Sequence, residues 1–338
     1  MMKFSQLQVI VAAGALATVA SLAAPSFAAV VSFGSGGNQF NMEFVMIGNP
    51  NNAADTTGEP NPAGAVGYEY GIGKFEVSED MIAKYNANFG TANSLAITLQ
   101  DMTSYGGNSH NKPATGVSWN EAARFVNWLN TSTGNQAAYK FTTGGVNDDI
   151  ALWTSGDAGY DANNLYRNSL AKYVLPSYKE WHKAAYYDPI ISTYYDYPTG
   201  SNTPPTAVAS GTTAGTAVYF QSIAQGPATV DQAGGLSPYG VMGLGGNVRE
   251  WEEGSQDLAN SSGSSILAVR GGNWFLSFQY LMPWDPSGFD PLQKNYNTGF
   301  RVASLSSSAP PVVPEPSMMV IGTLFGIGGL VAKRRLKK

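Results

Sequence analysis

Gly245-Gly246-Asn247-Val248-Arg249-Glu250-Trp251, then Arg270-Gly271-Gly272-Asn273-Trp274, then Gly299-Phe300-Arg301-Val302: these three runs decide how the chain is read. Paired glycines permit backbone that other residues resist, and here they stand beside Asn, Arg, Glu and Trp. The runs have neither the period of a helix nor the alternation of a strand. They imply tight loops in which polar groups press against aromatic rings. Arg270, Asn273, Trp274 and Arg301 are therefore expected to be core groups, the arginines stacking on tryptophan and bridging backbone carbonyls.

Working outward, the whole chain contains no cysteine, so no disulfide can staple it and a packed core must hold it. Seven Trp and an aromatic share of 12% supply large rings for such a core, while only 13% of residues are charged. With 39 Gly and 19 Pro the expectation is a loop-rich fold with little regular secondary structure.

Both ends read as address labels. Leu7 to Ala24 is almost continuously apolar, and Pro25-Ser26-Phe27-Ala28 closes it with small residues where a signal peptidase cuts, so residues 1–28 are expected to be a secretory signal peptide. Residues 304–313 read as a flexible Ser-, Ala- and Pro-rich spacer. Residues 314–338 hold Pro314-Glu315-Pro316, a 15-residue apolar stretch from Met318 to Ala332, and five basic residues after it. That stretch is shorter than the roughly 20 residues of a settled span, and its basic end would stay cytoplasmic. The part between, residues 29–303, suffices for one sizeable domain. Without the two ends 13 basic and 23 acidic residues remain, a formal charge of about −10 with no basic stripe, which speaks against nucleic-acid binding.

Along the domain, Phe40 to Gly48 and Tyr68 to Val77 read as strands. Ser78 caps a helix with Glu79 and Asp80 in its first turn. Two capping boxes, Ser118-Trp119-Asn120-Glu121 and Ser177-Tyr178-Lys179-Glu180, open further helices. Ala122, Phe125, Val126 and Leu129 line one, and Trp181, Ala184 and Ala185 the other. Asp188 to Gly235 is either a decorated surface insertion or several short strands. Its tyrosines (Tyr186-Tyr187 and Tyr194-Tyr195-Asp196-Tyr197) are candidates for an exposed sugar-stacking patch or for loop packing.

Taken in order, Phe44-Val45-Met46-Ile47-Gly48, Ile72 to Ser78, Pro113 to Trp119, Leu175-Pro176-Ser177-Tyr178-Lys179-Glu180-Trp181 and the three closing runs resemble the formylglycine-generating enzyme (sulfatase-modifying factor) domain family from about Phe44 to Val302. The resemblance implies an α+β, formylglycine-generating-enzyme-like fold, distantly like that of C-type lectins. Likewise, the three-part tail resembles the PEP-CTERM sorting signal of Gram-negative bacteria. It implies an exosortase-type partner, membrane association through the C-terminal segment, and a destination in the cell envelope, outer surface or extracellular matrix.

Family enzymes oxidise a substrate cysteine with two cysteines of their own as copper ligands, and this chain has no such donors. A related branch holds iron with three histidines, and only His110 and His182 exist here. Neither a copper nor an iron site is expected. The resemblance also implies a structural calcium site formed by the carbonyls of Gly246 and Val248 and the carboxylate of Glu250, although Gly243 stands where the family places a ligating asparagine. The other reading has Glu250 paired with a buried arginine, Arg270 or Arg301. No Gly-x-Ser-x-Gly elbow supports Ser/His/acid hydrolysis. Glu250, Glu252, Glu253, Asp257 and Asp285 leave room for carboxylate chemistry, though their spacing fixes no separation. The functional expectation is a secreted, non-catalytic module that binds a polysaccharide or protein ligand, or serves a structural role. The alternative is an enzyme of unknown reaction using the acidic closing region.

Overall fold

The computed structural model describes residues 29–305, apart from 58–60, 143–144, 146–148, 259 and 285–286. The expected signal peptide and the Pro-Glu-Pro tail lie outside the described residues. Among the described residues no helix is long and apolar enough to cross a membrane.

Two sheets and three helices frame the domain. The larger sheet is antiparallel throughout, with strands in the order Ala29–Phe33, Phe40–Ile47, Tyr70–Gly73, Ala303–Leu305 and Tyr173–Val174. Its alternation is visible in Phe40–Ile47, where Phe40, Met42 and Phe44 turn inward between more exposed neighbours. The last strand returns from the far end of the domain to the middle of this sheet. Ser304 and Leu305, expected to begin the spacer, are thus ladder residues, pairing with Gly71 and Tyr70. The strand expected from Tyr68 to Val77 is confined to Tyr70–Gly73, because Lys74 donates to Glu43 O and Val77 to Phe300 O outside any ladder.

The second sheet is mixed, in the order Gly288–Phe289, Leu267–Arg270, Arg249–Ser255 and Thr298–Gly299. It places all three closing runs side by side, with Glu250 opposite both Arg270 and Gly299.

Helix α1 spans Glu79–Tyr85, α2 Trp119–Ser132 and α3 Tyr178–Tyr186. Ser118 and Ser177 both form complete capping boxes, so the amide donors at each helix start are satisfied locally. Helix α2 is buried on nearly every side. Its Trp119, Phe125 and Trp128 meet Phe40, Tyr85, Tyr139 and Phe300 in the main aromatic core. A second cluster gathers Trp181, Ala184 and Ala185 of α3 with Tyr70, Tyr186, Tyr187 and Tyr239. The stretch from Asp188 to Gly235 resolves into short strands, Tyr187–Asp188 with Thr193–Tyr194 and Thr206–Ala207 with Thr216–Ala217, plus a 3-10 turn at Ile223–Gln225.

Candidate functional site

The closing run folds as its glycines demand. Gly246 has φ +90°, and a β-carbon there would lie 2.2 Å from the carbonyl oxygen of Val218. Asn247 follows at φ +55°, a left-handed conformation that asparagine tolerates better than most. Four bonds lock it. Its amide donates to Val218 O, its carbonyl accepts from Trp274 N, its Oδ1 accepts from Ala228 N (2.8 Å), and its Nδ2 donates to Glu76 Oε1 (2.9 Å). Asn273 braces the second run in the same way, accepting from the amides of Phe275 and Leu276.

From this braced backbone Glu250 projects into a dry centre. Glu250 and Arg301 are both fully buried. Arg301 Nε donates to Glu250 Oε2 (2.6 Å), Nη2 donates to Oε1, and Trp181 Nε1 donates to Oε2 (2.8 Å). Two further guanidinium protons reach Gly73 O (2.8 Å) and Met242 O (2.9 Å), joining both sheets through one side chain. Of the two readings of Glu250, pairing with a buried arginine is the one displayed here, and the partner is Arg301. The arrangement does not suit calcium at Glu250. The carboxylate that would supply the charge already holds a guanidinium, and a dication beside it would meet that positive charge. No group of three or more His, Cys, Asp or Glu among the described residues could hold a metal ion.

Glu76 enters the same centre, unannounced by any motif. It is fully buried, and its Oε2 finds no hydrogen-bond donor among the described residues. Gly243 lies against it, and a β-carbon there would come within 2.8–2.9 Å of the Glu76 carboxylate. Burial pushes the Glu76 carboxyl up to about 8; Arg301 opposes this, while Glu250 adds to it.

The next two acids are committed as firmly. Glu252 forms an ion pair with Arg270 Nε (2.7 Å), and Arg270 Nη1 donates to Pro283 O (3.0 Å). Glu253 belongs to a second buried centre around Arg167. Arg167 Nε donates to Glu253 Oε1 (2.6 Å), while Nη1 and Nη2 fork onto Glu180 at 2.9 Å each. Glu253 also accepts from Tyr139 Oη (2.9 Å) and Asn164 Nδ2 (2.6 Å). Glu180 accepts in addition from Tyr68 Oη (2.6 Å) and the Ser177 amide (2.7 Å). Burial alone would raise Glu180, but Arg167 and these donors outweigh it and hold the carboxyl below its ordinary range. At Glu253 burial and the neighbouring Glu180 win over Arg167, and the carboxyl is raised. Asp257 accepts from Ser255 Oγ (2.6 Å) at the end of its strand. Asp285 is outside the described residues.

The histidines are separate from this region and from each other. His182 is fully buried in α3, with Nε2 2.9 Å from Asp55 Oδ2, and burial lowers its pKa. It latches the loop after the second strand onto α3. His110 is exposed, 3.4 Å from Asp80, beside a cleft of about 490 Å³ that Asn41, Asp80, Lys84 and Asn111 also line. Three of the tyrosines weighed as a sugar-stacking patch, Tyr186, Tyr187 and Tyr197, are buried, so loop packing is what they do. Arg270 and Arg301 bond carboxylates and carbonyls, and Trp274 is buried with its Nε1 donating to Ile223 O (3.1 Å).

Sequence reasoning missed Arg167 and Glu76. Arg167 stands alone in an irregular stretch with no pattern to betray it. Glu76 carried a faint signal, an acid between Phe75 and Val77 where a strand was expected.

With this geometry described, comparison with known proteins places it. The model of the sulfatase-modifying factor enzyme 1-like domain matches residues 33–305. Among solved structures, variable protein 1 of Treponema denticola is similar at 17% identity with a TM-score of 0.54, covering 81% of this chain and 98% of that one. CarF is similar at 18% identity, TM-score 0.55, covering 78% and 98%. PvdO from Pseudomonas aeruginosa follows at 16% identity, TM-score 0.51, covering 82% and 98%. At these identities the likeness shows the fold. No curated protein matches the chain.

Proposed function

Given that the chain belongs to the sulfatase-modifying factor enzyme 1-like family, we propose that it is a non-catalytic binding or structural module of the cell envelope or exopolysaccharide matrix. In this reading the N-terminal segment exports it, and an exosortase-type enzyme recognises the Pro-Glu-Pro tail. One observation carries the non-catalytic part. Of the acids in the closing region weighed as acid, base or nucleophile, Glu250, Glu252 and Glu253 are all buried and tied to Arg301, Arg270 and Arg167. A general acid or base must reach substrate, and these face the core. The thiolate pair of the family's oxidases has no counterpart, since the chain has no cysteine.

The test is Glu250→Gln. As a core anchor, Glu250 leaves half a salt bridge behind when neutralised, and the thermal midpoint should fall by several degrees, corresponding to about 3 kcal/mol or more. A variant that melts like the parent while losing a measurable turnover would overturn the proposal in favour of an enzyme built on the acidic closing region.

A further inference from the structure

Among the described residues six large aromatic side chains are exposed: Tyr68, Tyr160, Phe220, Phe278, Tyr280 and Trp284. The last four fall on two segments that are bonded to each other. Phe220 N donates to Leu276 O (2.9 Å), Gln221 N to Trp274 O (2.8 Å) and Trp274 Nε1 to Ile223 O (3.1 Å), joining residues 220–223 to residues 274–276. Four exposed rings carried on two adjoining segments mark an interaction surface more often than chance packing does.

The rings are held in place from beneath. Phe220 is 71% exposed and takes φ +55°, a left-handed conformation that costs a non-glycine residue about 1–2 kcal/mol. Two backbone bonds to the braced Arg270–Trp274 run and its continuation maintain that strain. Strain retained at an exposed apolar side chain is a mark of function, since a core gains nothing from it. Phe278 and Tyr280 stand on the 3-10 turn Phe278–Leu281, and the Arg249 guanidinium lies 5.4 Å from the centre of the Tyr280 ring. The backbone at Phe220 and the ring of Tyr280 are thus held before any ligand arrives, which lowers the entropy cost of binding.

The chemistry of the face selects its occupant. Residues 220–225 and 275–284 contain no Asp, Glu, Lys or Arg, although the domain as a whole is strongly acidic. Beside the rings stand the carboxamides of Gln221 and Gln279 and the hydroxyl of Ser277. Ser277 Oγ donates to Gln279 Oε1 and Gln221 Nε2 to Tyr219 O (2.8 Å), so a ligand would be met by Gln221 Oε1 and Gln279 Nε2. A nucleic acid would need more cationic charge than the Arg249 guanidinium against Tyr280 supplies, and a lipid surface would not be met by exposed carboxamides. Aromatic faces with groups that both donate and accept suit a ring-shaped polyol, whose apolar C–H face stacks while its hydroxyl edge bonds. We propose that these two segments form a binding face for a neutral polysaccharide. The inference rests on the module reading above and gives it a ligand class.

Affinity electrophoresis of the full chain tests it, in gels containing a soluble β-glucan, a mannan or, as anionic comparator, alginate. At least one neutral polymer should retard the chain, and raising the ionic strength should leave that retardation unchanged. Tyr280→Ala and Phe220→Gly should each weaken it about ten-fold. Phe220→Gly removes the ring while relieving the left-handed backbone, so its melting curve should match or exceed the parent's. Retardation that survives both variants overturns the face and leaves the module reading standing. Absence of retardation by both neutral polymers, or retention by alginate alone that salt abolishes, overturns the ligand class. Shortening of any of the polymers, read as new reducing ends, overturns the module reading itself.

Discussion

Two buried centres in this domain are built from the same parts, one arginine and two glutamates, and they reach different states. Around Arg167, every oxygen of Glu180 and Glu253 has a donor, supplied by the guanidinium, Tyr68, Tyr139, Asn164 and Ser177. Around Arg301, Glu250 takes both the guanidinium fork and Trp181, while Asn247 is the side-chain donor to Glu76 and Oε2 of Glu76 has no donor among the described residues. Formal charge is equal in the two. The supply of hydrogen bonds differs, and with it the ease of keeping two carboxylates ionised in a dry interior. The Arg167 centre lowers Glu180 below its ordinary range and raises Glu253; the Arg301 centre pushes Glu76 up to about 8.

The largest expected effect comes from removing the shared cation. Arg301→Met strands Glu250, removes the charge that opposes the rise of Glu76, and abandons the carbonyls of Gly73 and Met242. A buried pair broken from one side costs about 3–5 kcal/mol, and the two abandoned carbonyls place this variant at the top of that range. Chemical denaturation should show a large loss of stability, or no folded protein. Near-parental stability would mean the two carboxylates do not depend on this arginine.

The contrast sharpens in a pH experiment on Glu76. An unfolded chain ionises this carboxyl near 4.5, whereas the folded chain keeps the proton until about 8. Between those values the unfolded state binds fewer protons than the folded one, so stability falls as pH rises through the window. Glu76→Gln makes the side chain permanently neutral. It should behave like the parent near pH 5 and melt at higher temperature than the parent above pH 8, flattening that fall. Superimposable pH profiles would show that Glu76 is ionised in the fold at neutral pH.

What the sequence disclosed follows the range of the interaction. Ser118 with Glu121 and Ser177 with Glu180 are local, three residues apart, and both capping boxes are present as expected. The closing runs announced their tight backbone because only glycine can sit against Val218 O as Gly246 does. Partner choice was hidden. Glu250 and Arg270 face each other across the ladder, yet Arg301 takes Glu250 and Arg270 goes to Glu252. Arg167 lies 86 residues before Glu253, a distance over which no spacing rule operates. The exposed rings at Phe220 and Tyr280 were equally silent, because exposure is set by what folds over a residue. The tyrosines near 186–197, just as aromatic, ended mostly inside.

The smallest effect probes the redundancy of the well-supplied centre. Tyr68→Phe deletes the 2.6 Å bond from Tyr68 Oη to Glu180 Oε1 and leaves the ring. A hydrogen bond to a charged group is worth up to about 3 kcal/mol when nothing replaces it. Here Arg167 Nη1 still donates to the same oxygen at 2.9 Å, and Tyr68 is 46% exposed, so water can take over the vacant direction. The loss should be about 1 kcal/mol, read as a small downward shift of the denaturation midpoint with unchanged slope. The same variant should leave the pH dependence assigned to Glu76 untouched, since Glu180 belongs to the other centre. A loss approaching that of Arg301→Met would show that the Arg167 centre has no spare donor, and that the two centres differ less than their hydrogen bonds imply.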